Sequence, residues 1–571
     1  MGEFIRLTKA ISSDAQLSRS NALWEMFHLT AEDRPDNYAL CWEQSIGGLR
    51  YRCTRYTFRQ LYDAANEFAN EITRFGFAAE SKVLLLVPIS PSFIVSMLGL
   101  IGIGCCPVLV DPRVGSRTLR RVVDEVRPDG VIATPLAYSV GLLRQWGLPK
   151  NNVVLLNRSL STRLSFARIP CFSARGVESS GEPLPAIASR PAAIVYTTGT
   201  TGASKGVVHT EESLLGMLTT ISEIAEFSGN ERDLATFPLF AVFAPLLGVT
   251  SIISSDNFAS PSRVNATRLL QSLRRHEVTN VFTAPALLAR IADALSRSTQ
   301  SLKSLRRILV AGAPTSGDLL VDVKQRVGNS VRVISIYGAT EAMPISHVEA
   351  DSAFAERLIE TGEGRGILVG SPCCNAKVKI LQADCHGSQT ATWQPEANEG
   401  QRGEIFVHGP MVSPTYLRSS DNNHHKVMDV GGRLWHRTGD IGYLDSSNLL
   451  WFCGRVSDRV VINGLAFDSL SCERVFERHP LVIKAAYIKI DRGNAERCVA
   501  IVQCRRCHWP RGLIERLRKE LQDMSQQVCP PIPVDEVLIR ASMPVDFRHN
   551  SKTVYSKLRH WARRKLAREI R

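Results

Sequence analysis

Short apolar runs alternate with amphipathic segments from about residue 56 to residue 350. Residues 83–87 and 107–110 are apolar runs of strand length, and residues 93–101 between them are long enough for a packed crossover helix. This alternation is typical of an α/β core in which helices cover parallel sheets. The same pattern predicts further strands at residues 153–156, 192–195, 281–282, 308–310 and 331–336.

Residues 83–110 contain no charged side chain, a feature that could indicate a membrane span. Prolines and glycines break this run into pieces that are too short to cross a bilayer, so we predict strand, helix and strand instead. The first six residues lack the basic and then apolar pattern of a secretory signal. We therefore expect a cytoplasmic protein.

Residues 196–206, directly after the predicted strand at 192–195, read Tyr-Thr-Thr-Gly-Thr-Thr-Gly-Ala-Ser-Lys-Gly. The glycines allow backbone N–H groups to approach phosphate oxygens, the hydroxyl groups add donors, and the lysine adds a mobile positive charge. The spacing differs from a Walker loop, because a serine precedes the lysine and a glycine follows it. The residues that we assign to this phosphate loop are Thr197, Thr198, Gly199, Thr200, Thr201, Gly202, Ser204 and Lys205.

The chain has 571 residues, 44% of them hydrophobic and 22% charged, which is enough for two or more domains with sizeable cores. Part of its net charge of +14 lies near the C-terminus, where basic residues surround Leu558, Trp561, Ala562 and Leu566 at helical spacing. This pattern predicts a basic amphipathic helix. Its apolar stripe could pack on the protein's own small domain, on an acidic partner enzyme or on an anionic membrane surface. Features that read nucleic acids are lacking.

Three further motifs follow the phosphate loop: Tyr337-Gly338-Ala339-Thr340-Glu341, His436-Arg437-Thr438-Gly439-Asp440 and Gly454-Arg455. In this order, the four motifs resemble those of the adenylate-forming superfamily, which includes acyl-CoA synthetases, peptide-synthetase adenylation domains and luciferases. The resemblance implies a large N-terminal adenylating domain at residues 1–456, with mixed and parallel sheets flanked by helices. It also implies a smaller, mobile α+β C-terminal domain at residues 457–571, which rotates about a hinge at Ser457.

Members of that superfamily join a carboxylic acid to ATP, which gives an acyl-AMP and pyrophosphate, so ATP and Mg²⁺ are implied for this chain. Catalysis of such a step consists mainly of positioning and charge compensation. The resemblance assigns the β- and γ-phosphates to Lys205, the α-phosphate to Thr340, and Mg²⁺ to Glu341. It assigns adenine to Tyr337 and the ribose to Asp440 and Arg455, with Gly312, Ala313, Pro314 and Gly338 completing the nucleotide site.

A lysine near the C-terminus supplies the positive charge for the reacting carboxylate in that superfamily. Lys552 is the candidate here, although Ser551 precedes it where the common pattern has glycine. The resemblance places the acid pocket around residues 237–243, where Ala241 occupies the position of a common histidine. The predicted pocket consists of Phe237, Phe240, Ala241, Phe243 and Ala339, although aromatic residues in such a run are more often core residues.

Several positions depart together from the usual acyl-CoA synthetase pattern. Ser457 replaces an aspartate or lysine, Val461 replaces a frequent lysine, and Ser471 replaces one of two glutamates, of which Glu473 remains. The same segments resemble the olefin β-lactone synthetases. The matching stretches are Thr-Phe-Pro-Leu-Phe-Ala at 236–241, Tyr-Gly-Ala-Thr-Glu-Ala at 337–342, Leu-Trp-Phe-Cys-Gly-Arg at 450–455 and Arg-His-Asn-Ser-Lys at 548–552.

Three functions follow from these resemblances. The first is activation of a β-hydroxy fatty acid, whose own hydroxyl then attacks the acyl-AMP and releases a β-lactone without an external thiol. The second is an acyl-CoA or acyl-carrier ligase, which alone requires CoA; Gly464 matches the glycine of the CoA-facing loop. The third is a weakly catalytic nucleotide-binding regulator, and the retained Lys205, Glu341, Asp440 and Lys552 argue against it.

Overall fold

The structure is a computed structural model with a mixed α/β fold. It describes residues 21–47, 50–150, 152–156, 190–197, 204–228, 230–254, 256, 258, 261–298, 301–382, 393–492, 495–504, 511–546 and 552–568. The α-helices are α1 (Ala22–Asp33), α2 (Phe58–Arg74), α3 (Pro91–Gly102), α4 (Ser116–Val126), α5 (Pro135–Leu143), α6 (Glu211–Ala225), α7 (Pro238–Leu246), α8 (Ala266–Arg275), α9 (Pro285–Ser296), α10 (Gly317–Val327), α11 (Ser352–Glu360), α12 (Ser419–His425), α13 (Ser469–Glu477), α14 (Arg511–Gln526) and α15 (Tyr555–Arg568).

The strands of the first half are β1 (Tyr38–Gly47), β2 (Arg50–Thr57), β3 (Lys82–Leu86), β4 (Cys106–Leu109), β5 (Gly130–Ala133), β6 (Val153–Leu155), β7 (Pro191–Tyr196), β8 (Gly206–Thr210), β9 (Arg232–Ala235), β10 (Thr250–Ile253), β11 (Asn280–Thr283) and β12 (Arg307–Val310). Those of the second half are β13 (Arg332–Ala339), β14 (Ala342–Glu349), β15 (Ile367–Pro372), β16 (Lys377–Leu381), β17 (Gly403–His408), β18 (Thr415–Tyr416), β19 (Lys426–Met428), β20 (Leu434–Leu444), β21 (Leu450–Arg455), β22 (Val460–Ile462), β23 (Leu465–Phe467), β24 (Val482–Arg492), β25 (Ala495–Cys504) and β26 (Glu536–Arg540). The strands predicted from the apolar runs are all present.

Helix α3 confirms the strand, helix and strand that were predicted for the uncharged segment. Ser90 accepts a hydrogen bond from the backbone of Phe93 and so caps the helix, and Pro91 occupies its first turn. Residues 91–101 are all buried, because α3 lies between two sheets and needs no polar face. Among the described residues, the structure contains no helix that combines the length and the apolar character of a membrane span.

Two sheets enclose the main hydrophobic core. A seven-stranded sheet has the order β18-β8-β7-β4-β3-β5-β6, and its strands from β7 to β6 are parallel. The larger sheet has the order β16-β17-β20-β21-β15-β14-β13-β12-β11-β9-β10-β1-β2, with β19 paired to β20. Its strands from β13 to β1 are parallel, and the remaining pairs are antiparallel. Both sheets contribute side chains to one core around α1, α2, α3, α6 and α7.

Residues 457–568, which we call the lid, follow a 3₁₀ turn at Val456–Asp458. The lid contains the hairpin β22–β23 and the sheet β24-β25-β26. Helices α13 and α14 cover one face of that sheet, and α15 covers the other. Leu558, Ala562 and Leu566 of α15 are buried against it, so the predicted basic helix packs its apolar stripe on the protein's own small domain. The domain boundary at residue 456 stays a prediction.

Candidate nucleotide and acid site

The turn between β13 and β14 presents Thr340 and Glu341. Ala339 pairs with Ala342, so these two residues alone form the hairpin turn. A side chain at Gly338 would place its Cβ 2.8 Å from the Ala342 carbonyl oxygen, which explains the glycine. The Glu341 carboxylate accepts a 2.8 Å hydrogen bond from the Tyr416 hydroxyl. The predicted Mg²⁺ ligand is therefore held in one orientation at a tight turn.

Tyr337, Asp440 and Arg455 form a second part of the site. The Tyr337 hydroxyl donates a 2.6 Å hydrogen bond to Asp440 Oδ2, and Arg455 Nε lies 2.8 Å from Asp440 Oδ1. Asp440 and Arg455 are direct partners in the pairing of β20 with β21. Burial raises the pKa of Asp440, while the charge of Arg455 opposes this change. The three residues predicted for adenosine thus adjoin one another.

Hydrogen bonds join the two described ends of the phosphate loop. Thr197 N–H donates to the Lys205 carbonyl at 3.0 Å, Lys205 N–H donates to Thr197 Oγ1 at 3.2 Å, and the Ser204 hydroxyl donates to the Thr197 carbonyl. These bonds join the end of β7 to the start of β8. The remaining predicted loop residues, Thr198, Gly199, Thr200, Thr201 and Gly202, lie outside the described residues.

The Lys205 ammonium donates a hydrogen bond to His425 Nε2. Burial, followed by the charge of Lys205, lowers the pKa of His425 to about 3, so this ring is a neutral acceptor at pH 7. The other ring nitrogen, Nδ1, then carries the proton and lies 3.4 Å from the Arg437 carbonyl oxygen. Burial also lowers the pKa of Lys205, while the charges of Asp421 and Glu341 oppose this change and the charge of Arg455 adds to it.

Tyr416 and Lys426 are site residues that the sequence did not reveal. The Tyr416 ring centroid lies 5.6 Å from Lys205 Nζ and 5.5 Å from Lys426 Nζ, so the ring lies near both lysine side chains. Lys426 donates to the Ser413 carbonyl, and burial lowers its pKa to about 7. Tyr416 reaches Glu341 across 75 residues of sequence, and no local pattern marks such a contact.

Lys552 is the predicted site residue that belongs to the lid. Its backbone N–H donates to Asp546 Oδ1 at 2.9 Å, and Asp546 N–H donates to the Lys552 carbonyl, also at 2.9 Å. A bridge between Val545 and Thr553 closes this turn. Burial raises the pKa of Asp440, and the positive charge of Lys552 is one of those that oppose this change, so Lys552 acts electrostatically on the adenosine part of the site. Ser551 lies outside the described residues.

Gly312, Ala313 and Pro314 follow the carboxyl end of β12, beside the strand that ends at Tyr337-Gly338-Ala339. Gly312 has a φ of +93°, a backbone conformation that favours glycine. Ligands of open parallel sheets bind beyond the carboxyl ends of the strands. This segment is therefore on the correct edge of the sheet for the predicted contact with the nucleotide.

Four of the five predicted acid-pocket residues lie on or next to α7, and the fifth, Ala339, is the last residue of β13. Phe240 stacks on Phe282 with ring centroids 3.6 Å apart, and Phe237 meets the same ring edge-on at 5.8 Å. Ala241 and Phe243 are buried in the main core, whereas Phe237 is half-buried. These contacts account for the aromatic residues as core packing. Their role in binding the acid, and that of the half-buried Ala339, stays a prediction.

Residues 27–417 match the family described as "AMP-binding enzyme". The chain belongs to this family. It is 29% identical over 548 residues to an olefin beta-lactone synthetase of Stenotrophomonas maltophilia, covering 94% of this chain and 97% of that protein. An olefin beta-lactone synthetase of Xanthomonas campestris is 28% identical, and the match covers 98% of this chain and 99% of that protein. A probable CoA ligase of Humulus lupulus is 25% identical and covers 76% of each chain.

Solved structures show the same fold as this AMP-binding enzyme. The amide bond synthetase McbA from Marinactinospora thermotolerans has a TM-score of 0.73 at 21% identity and covers 94% of this chain and 99% of its own. O-succinylbenzoate coenzyme A synthetase (MenE) from Bacillus subtilis, in complex with ATP and magnesium ion, has a TM-score of 0.67 at 19% identity. The match covers 93% of this chain and 98% of that chain. Both matches include the lid as well as the large domain.

As an AMP-binding enzyme, the chain activates a carboxylic acid with ATP as an acyl adenylate. Enzymes that form adenylates use Mg²⁺, which proteins usually hold through one or two carboxylates together with substrate phosphates. Glu341 fits this requirement, since its carboxylate is fixed by Tyr416, whose ring centroid also lies 5.6 Å from Lys205 Nζ. A bound Mg²⁺ would neutralise phosphate charge beside Glu341.

Proposed function

We propose that this AMP-binding enzyme activates a β-hydroxy fatty acid and converts its adenylate into a β-lactone. The observation that carries the proposal is the similarity, over nearly the whole chain, to two olefin beta-lactone synthetases. The site supports the first step, because Lys205 and Glu341 both adjoin Tyr416, and the charges of Lys552 and Glu341 act on the pKa of Asp440. Under this proposal, ATP and the acid are substrates and CoA is not required.

In the first step, a carboxylate oxygen attacks the α-phosphorus of ATP, and the bond from that phosphorus to the bridging oxygen of pyrophosphate breaks. Lys205 holds the terminal phosphates and exchanges its bond to His425 for a phosphate oxygen. Thr340 donates to the α-phosphate from the hairpin turn. Lys552 offsets the repulsion between the acid and the phosphate as they approach. Every one of these groups is a fixed charge or donor, which is what such a reaction needs.

In the second step, the β-hydroxyl oxygen attacks the carbonyl carbon of the acyl-AMP. A ring C–O bond forms, the bond from the carbonyl carbon to the AMP oxygen breaks, and the hydroxyl proton passes to solvent. Nucleophile and electrophile belong to one molecule, so holding the acyl chain in a folded conformation supplies much of the rate enhancement. The products are a β-lactone and AMP.

Three substitutions in the lid support this second step. Ser457, Val461 and Ser471 stand where thioester-forming relatives of the adenylate-forming superfamily commonly carry charged residues. Ser457 is exposed in the 3₁₀ turn, and Ser471 is buried in α13. A cyclising enzyme needs no lid surface that guides a thiol to the adenylate, so these positions are free to change.

A second candidate function is an acyl-CoA ligase, and one residue favours it. Gly464 lies in the turn between β22 and β23 with a φ of +77°, and no atom lies within 4 Å of where its Cβ would be. An open turn of this kind leaves room for an extended thiol cofactor. The similarity to plant CoA ligases points in the same direction, although it covers a smaller part of the chain.

A matched pair of acids tests the proposal. The purified enzyme is given ATP, Mg²⁺ and either a long-chain β-hydroxy acid or the same acid without the hydroxyl group. We expect ATP–pyrophosphate exchange with both acids, because both carry the reacting carboxylate. Free AMP and a product lighter than the acid by one water should form only with the hydroxy acid. Equal AMP release from both acids, with no such product, would contradict the proposal.

A further inference from the structure

An ion pair between Arg402 and Asp468 joins the lid to the N-terminal domain, away from the predicted nucleotide site. Arg402, immediately before β17, donates from Nη1 to Asp468 Oδ2 at 3.0 Å and from Nη2 to the Gly364 carbonyl at 2.7 Å. Asp468 belongs to the lid and is the N-cap residue of α13. The guanidinium of Arg402 therefore connects the start of β17 and the segment around Gly364 to the start of α13 in the lid.

Asp468 is held by arginines from both sides. Its Oδ1 accepts a 2.7 Å hydrogen bond from Arg459 Nε, and its side chain is only 1% exposed. Arg459 follows the 3₁₀ turn and so belongs to the lid, whereas Arg402 belongs to the large domain. A buried carboxylate that loses one of its partners retains an unfavourable desolvation energy. Separation of Arg402 from Asp468 is therefore costly even though Arg459 remains.

The pair lies at the edge of a packed interface. Val475 of α13 has its Cγ2 3.4 Å from the position where a Gly364 Cβ would be, and Leu470 lies equally close to that of Gly454. Helix α13 thus packs on β21 and on the turn at Thr361–Arg365 while Arg402 bonds to the same turn. Apolar contact and ion pair stabilise one orientation of the lid.

In this orientation, the positive charge of Lys552 acts on the pKa of Asp440. Rotation of the lid about Ser457 would separate Asp468 from Arg402. The same rotation would move Lys552 away from Asp440. We propose that Arg402 and Asp468 are positioning residues, which hold the lid so that Lys552 faces the adenylate throughout the reaction. The inference deepens the proposed function and rests on it, since the acyl-AMP that is formed and consumed in the two proposed steps is the group that Lys552 would face.

The test compares the full-length enzyme with Arg402→Gln and with the control Arg516→Gln. Arg516 pairs with Glu520 on the surface of α14 at 2.8 Å and is 75% exposed, so its loss removes an ion pair within the lid only. We expect Arg402→Gln to lower kcat for ATP–pyrophosphate exchange by about tenfold, on the scale of one partly buried charged hydrogen bond. The KM for ATP should stay unchanged, because the adenosine contacts lie in the large domain. Arg516→Gln should match the wild type in both constants.

Hydrogen–deuterium exchange separates positioning from simple destabilisation. In Arg402→Gln, exchange should accelerate in α13 and in residues 361–365 but remain unchanged in β24 and β25, the centre of the lid. Arg402→Lys should recover part of kcat, because it restores the charge opposite Asp468. Asp468→Asn tests the same contact from the lid if Arg402→Gln does not fold.

A wild-type kcat and a wild-type exchange pattern in Arg402→Gln would overturn the inference. Faster exchange throughout the lid, with no recovery in Arg402→Lys, would overturn it as well. All these readouts concern adenylation and lid position and not the final product. An enzyme that makes no lactone would therefore refute the proposed function while leaving these measurements interpretable.

Discussion

The phenol of Tyr337 donates a hydrogen bond of 2.6 Å to Asp440, a residue 103 positions further along the chain. Asp440 in turn pairs with Arg455 on the neighbouring strand. The contact joins the hairpin that carries Thr340 and Glu341 to the strand pair that leads into the lid. A nucleotide bound here would therefore contact both parts of the adenylation machinery.

Asp440→Asn should raise the KM for ATP by about 10- to 100-fold, because hydrogen bonds to a charged group contribute roughly 1.5–3 kcal/mol. Tyr337→Phe retains the ring and removes only a donor, so its KM should rise by about 2- to 10-fold. ATP–pyrophosphate exchange at several ATP concentrations gives both values. A larger effect in Tyr337→Phe than in Asp440→Asn would show that the ribose is not bound through the carboxylate.

Lys552→Ala should reduce kcat for ATP–pyrophosphate exchange by about 100-fold or more, since a charge aimed at a transition state is worth several kcal/mol. Binding of ATP should change little, because Lys552 is predicted to face the acid, whereas the terminal phosphates are assigned to Lys205. Lys557→Ala, on the exposed side of α15, is the control and should behave as wild type. Equal rates in the two variants would refute the assignment of Lys552.

The apolar runs predicted the strands and the helix of the segment around residues 83–110 correctly, because a segment buried between two sheets is apolar on every side. The start of α6 also carries a local signal. Thr210 and Ser213 form the capping box at that helix, and such a signal lies within four residues. Local physics decides both features, so the sequence alone reveals them.

Contacts between distant segments could not be predicted in this way. Tyr416 bonds to Glu341, and Arg402 bonds to Asp468, only because the sheets and the lid bring them together. The aromatic residues near 240 show a second limit. Phe240 stacks on Phe282 with ring centroids 3.6 Å apart, and the sequence does not distinguish such a core residue from one that lines a pocket. The order of motifs suggested the nucleotide site, whereas the partners that hold it depend on the fold.

Glu341→Gln should increase the Mg²⁺ concentration needed for half-maximal adenylation by about tenfold or more, because a neutral amide replaces the carboxylate that hard cations prefer. The control is Glu349→Gln on the same hairpin, where Glu349 pairs with Arg332 at 2.9 Å, away from the turn. Titration of Mg²⁺ at fixed ATP measures the effect. Superimposable titrations for Glu341→Gln and wild type would place the metal elsewhere.

The stability of the lid should depend on pH through Glu473. Burial raises the pKa of this carboxyl from 4.5 to about 8, while hydrogen bonds from Tyr555 and Tyr487 oppose the change. Because the folded state binds the proton more tightly, the stability that Glu473 contributes is complete below pH 4.5 and is lost as the pH rises through about 8.

Glu473→Gln should therefore gain stability relative to wild type between pH 5 and 8, by up to about 1.4 kcal/mol per pH unit. Thermal unfolding at pH 5, 6, 7 and 8 measures this difference. Glu477→Gln, on the same helix but paired with Arg474, serves as the control. Parallel pH curves for wild type and Glu473→Gln would show that the carboxyl does not hold its proton in the folded lid.

The most direct test of lactone formation is product analysis with and without CoA. The enzyme is incubated with ATP, Mg²⁺ and a long-chain β-hydroxy acid, with Lys552→Ala as the inactive control, and the products are resolved by mass spectrometry. We predict equal amounts of β-lactone and AMP, in the same yield whether or not CoA is present. Acyl-CoA that forms only when CoA is added, with no lactone in either reaction, would contradict the account.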